Sequence, residues 1–415
     1  MTVLDSAVEL QGYGGFRIRR QKVQIMSNGE FWKKKKNQRP ADDNSRGGSN
    51  KKGSTNTGKR SFGQTSSEPE WMKESDALWM NKLTPSVISD GSPVDYTVSI
   101  AIPSSILKTA KSTELKTYLV GQIARACAIH EVDEIIVYMD TPYESSDDLE
   151  KGPGVFFCRL LQYLECPPYL RDAIFPVHND LKFAGLLPPL NMPHHMSSDA
   201  VSLYREGVVV DKPIAKGSMV NIGLQHEAII SHQLQAGIRV TVKLLDAPLS
   251  SSSSSSSGSK VHVPLKGEAV SPLIRQQHGL YWGYQTRLVS SFSEVFVGCP
   301  YIDSDGDTSE EGNSTGYDLL IGNSERGSKA LDSTVMTIKP FKHALIVFGG
   351  VGGIEACVEA EKSITISAKN TECLFDHWLD LAPSRGSRAV RTEEAVLIGL
   401  AKLTALFSRT ENAAK

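Results

Sequence analysis

The most informative stretch of this 415-residue chain is Ala344-Leu-Ile-Val-Phe-Gly-Gly-Val-Gly-Gly-Ile-Glu355. Its apolar run predicts a buried strand, and the glycines that follow predict a tight turn where the backbone can approach a ligand. Two further glycine-bearing segments adjoin a predicted strand or helix: Ile321-Gly-Asn-Ser-Glu-Arg-Gly327 and Pro383-Ser-Arg-Gly-Ser-Arg388. Ligands of open α/β sheets bind outside the carboxyl ends of strands, which is where these turns would lie. Together the three segments predict a backbone-lined pocket for a small polar cofactor.

Two common nucleotide-binding motifs do not fit the first glycine cluster. A dinucleotide fingerprint reads G-x-G-x-x-G, and although Gly350 and Gly352 match it, Glu355 stands in the third position. A phosphate loop would need Gly-Lys-Ser/Thr, which does not follow. Each segment taken alone is equally compatible with a structural turn. Their shared placement at strand ends is what favours a binding site.

Charge is distributed unevenly along the chain. The first 60 residues hold 14 basic and 5 acidic side chains, a net of +9, so the other 355 residues carry −11 of the total of −2. A basic arm on a mildly acidic body indicates a polyanionic partner such as nucleic acid. A solubilising tail or an import signal explains the same arm equally well. Within it, Lys33-Lys-Lys-Lys36 resembles a nuclear import cluster.

Several protein classes are disfavoured. The six cysteines are scattered without metal-ligand spacing, which favours buried thiols in a reducing compartment and predicts no metal. The Asp-rich loop 302–316 places Gly306 between the second and third acids, which rules out an EF-hand. No apolar run is long enough to span a membrane. We therefore expect a soluble intracellular protein without a membrane partner.

The order of predicted elements indicates an α/β domain interrupted by a β-barrel. A strand at Thr97–Ile102, a helix capped by Ser112 and a strand at Glu134–Tyr138 form a βαβ unit, which predicts a parallel sheet. A helix at about Val155–Leu164 follows. We expect four parts, namely a basic, largely disordered arm over 1–93, the N-terminal part of the α/β domain over 94–203, the barrel over 204–290 and the C-terminal part of the α/β domain over 291–410.

Short β-prone runs with almost no helical periodicity predict the barrel, and an OB-like fold fits their size and number. The expected barrel strands are Gly207–Val210, Ser218–Ile222, Ala228–Ser231, Ile238–Lys243, Lys260–Pro264 and Tyr281–Val289. The run Ser250–Ser257 between them is predicted to be a flexible extension. After the barrel, strands are expected at Asp318–Gly322, Ala344–Phe348 and Ser363–Ser367, and a terminal helix from Thr392.

Several spaced blocks of this chain resemble a known family. They are Tyr169–Leu181, Ala184–His195, Tyr281–Arg287, Ile321–Gly327, His343–Gly350 and Gly386–Ala395. They are similar to RNA methyltransferases of the SPOUT class, in the eukaryotic and archaeal branch whose human member is linked to the centromere and spindle. The resemblance covers about residues 96–410 and leaves out the basic arm.

The resemblance implies a fold and an activity. The fold is an α/β domain whose parallel sheet has helices on both faces and whose C-terminal segment is threaded as a trefoil knot, with an inserted OB-like barrel. The activity is methylation of ribosomal or other structured RNA with S-adenosyl-L-methionine, which leaves S-adenosyl-L-homocysteine. It further implies a homodimer and a nuclear or nucleolar protein involved in rRNA processing, or otherwise a cytoplasmic one.

The family's cofactor contacts transfer onto matching positions of this chain. The implied cofactor-binding residues are Asn323, Ser324, Arg326, Gly327, Phe348, Gly349, Gly350, Asp380, Leu381, Pro383, Ser384, Gly386, Ser387, Arg388, Thr392 and Glu393. The chain departs from the family pattern in two places. Asp380-Leu-Ala-Pro383 stands where Asn-Thr-Cys-Pro is expected, and Ser384-Arg385 stands where Gly-Gln is expected. These departures motivate an alternative, a non-catalytic RNA-, chromatin- or spindle-associated scaffold that retains the cofactor-binding knot.

Methyl transfer from a sulfonium requires mainly an aligned acceptor, and a base where the acceptor carries a proton. The candidates for acceptor positioning or proton handling are Glu325, Arg326 and Arg388, each of which could equally form an ordinary surface salt bridge. Arg171, His178 and Asp180 form a second polar group, for which a structural or RNA-contact role is expected. RNA stacking is assigned to Tyr281, Trp282 and Tyr284, with a core position for Trp282 as the competing interpretation.

Overall fold

The structure is a computed structural model that describes residues 94, 96–140, 152–198, 200, 202–214, 216–245, 264–270, 279–301, 316–328, 338–361 and 363–414. The basic arm with Lys33–Lys36, the run Ser250–Ser257 and the acidic residues 302–315 lie outside the described residues. The described strands are β1 (Thr97–Pro103), β2 (Glu134–Tyr138), β3 (Tyr204–Val210), β4 (Ser218–Asn221), β5 (Ala228–Ile230), β6 (Arg239–Leu244), β7 (Leu265–Val270), β8 (Gln285–Val289), β9 (Leu319–Ser328), β10 (His343–Phe348) and β11 (His377–Leu379). The α-helices are α1 (Thr113–Ile129), α2 (Pro153–Glu165), α3 (Arg171–Ile174), α4 (Gly353–Ala360) and α5 (Thr392–Ala414).

Six strands form one sheet in the order β11-β9-β10-β1-β2-β8. Every neighbouring pair is parallel, which confirms the parallel sheet predicted from the βαβ unit. β1, β2 and β10 are buried along their whole length, as expected for central strands covered on both faces. β10 ends at Phe348 directly before the glycine turn, so the turn lies at the carboxyl edge of the sheet.

Alternate residues of the central strands enter two separate cores. Ile100 and Ile346 face one core, which α1, α2 and α5 cover. Ala101 and Leu345 face the other, which α4 covers. The sheet therefore has helices on both faces.

The remaining described strands close into a barrel in the order β3-β4-β5-β7-β6. The prediction of a small inserted barrel is confirmed at this level. The prediction that Tyr281–Val289 is a barrel strand is wrong, because β8 pairs with β2 at the edge of the main sheet. The strand predicted at Lys260–Pro264 lies almost entirely outside the described residues. β7 begins at Leu265, and residues 260–263 lie outside the described part of the chain.

The strand predicted at Ser363–Ser367 is wrong, and β11 takes its place in the sheet. Ser367 caps a 3₁₀ turn instead, since its hydroxyl accepts a hydrogen bond from the Lys369 amide. β11 pairs with β9 beside Gly322, where an added Cβ would lie 2.5 Å from the Trp378 ring. The missing side chain at Gly322 is what lets this short strand pack.

Candidate active site

A cleft of about 950 Å³ lies at the carboxyl ends of β9 and β10. Three chain segments form one wall: Asn323–Arg326, the glycine turn 349–353, and part of 380–393. The first turns of α1 and the residues before it form the opposite wall. The three glycine-bearing segments singled out in the sequence therefore converge on one cavity, although not with all of their residues. The prediction that 322–327 forms a turn after the strand is wrong, because these residues continue β9 to Ser328.

The glycine turn is shaped by close backbone contacts. The Gly353 amide donates to the Gly350 carbonyl at 3.0 Å, and Gly353 has a φ of +76°, which favours glycine. A Cβ at Gly350 would lie 3.0 Å from the Ser105 hydroxyl. Ser105 is itself fixed by Asp140, whose carboxylate accepts from both its amide and its hydroxyl. At Gly349 and Gly350 the turn therefore presents backbone to the cleft.

The end of β9 supplies polar side chains to the cleft. The Asn323 side-chain oxygen accepts from the Leu381 amide at 3.4 Å, which ties this strand to the third segment. The Ser324 hydroxyl donates to Oε1 of Glu355 at 2.8 Å. Arg326 is 75% exposed, and its Nε lies 3.9 Å from the same carboxylate oxygen. A buried hydroxyl and an exposed guanidinium thus flank the Glu355 carboxylate.

Asp380 and Arg385, the charged residues at the two places that depart from the family pattern, bind each other. Asp380 is buried, and its carboxylate accepts from Arg385 Nη1 at 3.2 and 3.3 Å and from the Ala382 amide at 3.1 Å. Nη2 of Arg385 also lies 3.0 Å from Oε1 of Glu325. The charge introduced at Asp380 is therefore neutralised within the same segment, and the loop keeps a defined shape.

Helix α5 begins at the cleft. The Thr392 hydroxyl donates to the Gly349 carbonyl at 3.0 Å, so the start of the helix is bonded to the glycine turn. Glu393 lies in the first helical turn, where a negative charge is stabilised by the helix dipole. Arg391 is 79% exposed at the mouth of the cleft.

Most of the predicted site residues meet in this cleft. Those that line it are Asn323, Ser324, Glu325, Arg326, Gly349, Gly350, Asp380, Leu381, Thr392 and Glu393. Those that do not are Gly327, Phe348, Pro383, Ser384, Gly386, Ser387 and Arg388. Phe348 is fully buried in the core, and Gly327 packs against the backbone of Leu379 and Asp380. Arg388 is exposed outside the lining, which places it apart from the other two candidate catalytic residues.

Some lining residues were missed by the sequence predictions. Lys111, Tyr118 and Gln122 reach the cleft from α1 and its approach, and Glu355 reaches it from α4. Leu115 of α1 also lines the cleft and is 55% exposed. Only the tertiary structure brings α1 to the strand ends.

Cys357 lies beneath the glycine turn but does not supply a nucleophile. Its sulfur is 3.7 Å from the Tyr138 hydroxyl, which donates to the Phe348 carbonyl. Burial raises the pKa of the Cys357 thiol to about 12. The thiol therefore stays protonated near neutral pH, and covalent catalysis through a thiolate is disfavoured.

The predicted stacking residues are not available for RNA. Tyr281, Trp282 and Tyr284 are all buried, so the stacking prediction is wrong and the competing core position of Trp282 is correct. The two tyrosine hydroxyls donate to the carbonyls of Val132 and Leu161. These hydrogen bonds fix the segment before β8 against the α/β domain.

The second polar group is a structural cluster. Asp180 pairs with the buried Arg159, and its amide donates to Nδ1 of His178 at 3.1 Å. Burial, together with the charge of Arg159, lowers the pKa of His178. Arg171 donates to the carbonyls of Cys166 and Leu164 and thereby closes the end of α2. These contacts support the structural interpretation.

No helix among the described residues is long and apolar enough to cross a membrane. No group of three or more His, Cys, Asp or Glu side chains in that part of the chain could hold a metal ion.

Comparison with known proteins places this geometry in a family. A family described as "Putative RNA methyltransferase" matches residues 97–403. The 28S rRNA (uridine-N(3))-methyltransferase of Mus musculus is 46% identical over 320 residues, covering 74% of this chain and 76% of the mouse protein. The Homo sapiens protein of the same name is 45% identical, covering 74% of this chain and 78% of its own length. The Drosophila melanogaster protein is 40% identical, covering 75% and 62%.

The match includes both the strands that form the cleft and the inserted barrel. The chain therefore belongs to the "Putative RNA methyltransferase" family.

Proposed function

We propose that this protein transfers the methyl group of S-adenosylmethionine to N3 of a uridine in large-subunit ribosomal RNA. The observation that carries the proposal is the cleft, in which three separate segments at the strand ends surround one cavity. The relatives named as 28S rRNA (uridine-N(3))-methyltransferases support the acceptor and the position modified.

The cleft has the mixed chemistry that this cofactor needs. Apolar lining from Ile106, Leu119 and Leu381 suits an adenine ring. Two carboxylates of the lining, Glu325 and Glu393, complement an ammonium group and a sulfonium. The bare backbone of the glycine turn allows close approach, since a Cβ at Gly350 would occupy the space before Ser105. When bound, S-adenosylmethionine supplies an electrophilic methyl group.

The residues of the chain then have separable roles. Asn323 and Thr392 fix the three segments relative to each other, so that the acceptor meets a preorganised site. Arg391 is highly exposed at the mouth and can pair with RNA phosphates. Because uridine N3 carries a proton, the site must also accept that proton.

The knot belongs to this proposal. After β10 the chain passes through α4, pairs as β11 with the far side of β9 and then returns, where Thr392 bonds to Gly349. α5 packs in the same core as α1 and β10. This path supports a C-terminal segment threaded as in the SPOUT class, and the closed five-stranded order of the barrel supports an OB-like fold.

A homodimer is part of the same proposal. Apolar side chains are exposed around the cleft, including Leu115 at 55%, Tyr118 at 55% and Val351 at 86%. Leu397 and Ile398 on α5 are also exposed, at 46% and 36%. An apolar surface of this kind supports association with a second copy. We also retain a nuclear or nucleolar location, which rests on the basic cluster Lys33–Lys36.

The proposal is tested by transfer of a labelled methyl group. Purified full-length protein would be incubated with methyl-tritiated S-adenosylmethionine and, separately, ribosomal RNA, DNA and histones. We expect label only in ribosomal RNA. Calorimetric binding of S-adenosylhomocysteine without transfer to any substrate would instead support the non-catalytic scaffold, and label in DNA or protein would overturn the choice of acceptor.

A further inference from the structure

Glu355 differs from the other carboxylates of the cleft in what its oxygens contact. Asp380 is occupied by Arg385 and the Ala382 amide, and Glu325 is 60% exposed with one oxygen on Arg385. Oε1 of Glu393, in the first turn of α5, lies 4.0 Å from Nη1 of Arg391. Glu355 accepts one hydrogen bond, from Ser324, on Oε1. Among the described contacts Oε2 of Glu355 has no hydrogen-bond donor, and Glu355 lines the cleft.

Ser324 on one side and Gly353 on the other fix the position of the Glu355 side chain. Its side chain is 14% exposed and lies in the first turn of α4, next to the strand end that carries Ser324. A Cβ at Gly353 would lie 2.5 Å from Oε2, so the glycine leaves the space that this oxygen fills. The carboxylate is therefore held in the cleft wall without being neutralised by a buried cation.

The groups around Glu355 match one edge of a uracil ring. That edge presents a carbonyl, the N3–H donor and a second carbonyl. The protein presents an acceptor in Glu355 and donors in the neighbouring Arg326, whose side chain is 75% exposed. Cytosine presents an unprotonated N3 in the same place, which would face the carboxylate with a lone pair. This arrangement favours uridine over cytidine.

We infer that Glu355 is the group that receives the N3 proton of the target uridine, and that Arg326 holds a carbonyl beside it. This inference rests on the proposed function. In the step, the N3–H bond breaks and the proton passes to Oε2 of Glu355. The electron pair on N3 forms the bond to the methyl carbon. The carbon–sulfur bond breaks at the same time, and its electron pair stays on sulfur. A carboxylate and a sulfonium thereby become a carboxylic acid and a thioether, so charge is balanced.

The test compares Glu355→Gln with Glu359→Gln, an exposed glutamate one turn further along the same helix. Methyl transfer to ribosomal RNA that lacks the modification would be measured across a range of pH. We expect Glu355→Gln to lower kcat by about a hundredfold to ten-thousandfold, the usual range for loss of a general base. Its rate should then rise in proportion to hydroxide concentration, because the uridine must ionise without help. Glu359→Gln should have the same kcat and the same pH dependence as the protein without a substitution.

Binding gives a readout that is independent of turnover. Glu355→Gln should bind S-adenosylhomocysteine as the unmodified protein does, measured by calorimetry. Its preference for oligouridylate over oligocytidylate of equal length should shrink, because a glutamine amide can donate to the cytosine N3. Unchanged kcat, unchanged pH dependence or an unchanged preference in Glu355→Gln would overturn the inference, as would a hydroxide-dependent rate in Glu393→Gln alone.

The two proposals fail in different ways. If the unmodified protein makes no 3-methyluridine, the proposed function fails. If the unmodified protein makes it and Glu355→Gln does so equally well, only the role of Glu355 fails.

Discussion

Replacing Arg239 with methionine should lower the free energy of unfolding, because Arg239 links the barrel to helix α2 of the α/β domain. Arg239 lies on β6 and donates to both oxygens of Glu165, at the end of α2, at 2.6 and 2.9 Å. Its Nε donates to Glu206 of β3 at 2.7 Å. The three side chains are only 14%, 7% and 4% exposed. Methionine keeps most of the volume but leaves two buried carboxylates without their cation.

The magnitude follows from the burial of these carboxylates. Removing one partner of a buried ion pair costs about 3–5 kcal/mol, because an unpaired charge remains in a poorly solvated place. An exposed pair contributes at most about 1 kcal/mol. Lys212 and Glu227 provide the matched control, since they form a 2.6 Å pair in the same barrel with side chains that are 54% and 29% exposed. Lys212→Met should therefore have a small effect.

The assay is urea unfolding of the full-length protein, followed by tryptophan fluorescence and circular dichroism. Trp282 reports on the cluster directly, because its indole N–H donates to Glu206 at 2.6 Å. Adding Glu165→Gln and Glu206→Gln to the Arg239 variant should recover most of the lost stability, since neutral amides cost less to bury. A loss below about 1 kcal/mol in Arg239→Met, or one equal to that of Lys212→Met, would refute the reasoning.

The same cluster predicts how stability depends on pH. Desolvation raises the pKa of Glu165 and Glu206, but Arg239 and several hydrogen bonds outweigh it and hold both pKa values below the ordinary one. Their stabilisation is thus present above the ordinary glutamate pKa and is lost as pH falls through the folded-state value. Burial also lowers the pKa of His195 to about 4, so the unfolded chain takes up this proton first as pH falls. The urea concentration at the unfolding midpoint should fall steeply as the pH is lowered, and less steeply for Arg239→Met. Parallel curves of midpoint against pH for the two proteins would contradict this prediction.

Two further predictions concern packing and thiol reactivity. Gly322→Ala should cost about 1–3 kcal/mol in thermal unfolding, because its new Cβ would lie 2.5 Å from the Trp378 ring; an unchanged Tm would count against the packing of β11. Cys373 is exposed and should react quickly with a thiol reagent, whereas Cys357, whose pKa burial raises to about 12, should react only on unfolding. Mass spectrometry of the labelled peptides would check this, and early labelling of Cys357 would show that the turn above it opens.

Local sequence signals were sufficient for the centre of the sheet. The apolar run before Gly349 forms β10, and the Ser112 hydroxyl caps α1 by accepting from the Leu115 amide at 3.3 Å. In both cases the deciding interactions lie within a few residues. The parallel order could then be predicted, because a strand–helix–strand unit allows little else.

The predictions from sequence were wrong where residues distant along the chain determine the structure. β8 has the composition of a barrel strand, but its pairing with β2 is a tertiary property that no local pattern encodes. β11 is too short for a periodic signal and depends on Gly322 far earlier in the chain. The aromatic residues before β8 have polar tips suited to RNA, yet those tips are bonded to carbonyls in the core.

The candidate site was predictable in outline because glycine turns at strand ends converge in this class of sheet. Glu355 was missed as a functional residue, since its environment depends on Ser324 and Arg326 from another strand. Arg388 stands at a matching motif position but lies exposed outside the cleft lining. The motif positions therefore predicted where the cavity lies, but not which individual side chains line it.

Nucleoside mass spectrometry of ribosomal RNA tests the central claim most directly. Large-subunit RNA from cells that lack this protein would be incubated with the purified protein and S-adenosylmethionine, then digested and compared with untreated RNA. The account predicts the appearance of 3-methyluridine, and its absence when Gly350, whose backbone faces the cleft, is replaced by a bulky residue. Methylation of a ribose or of another base, or no new methylated nucleoside at all, would contradict it.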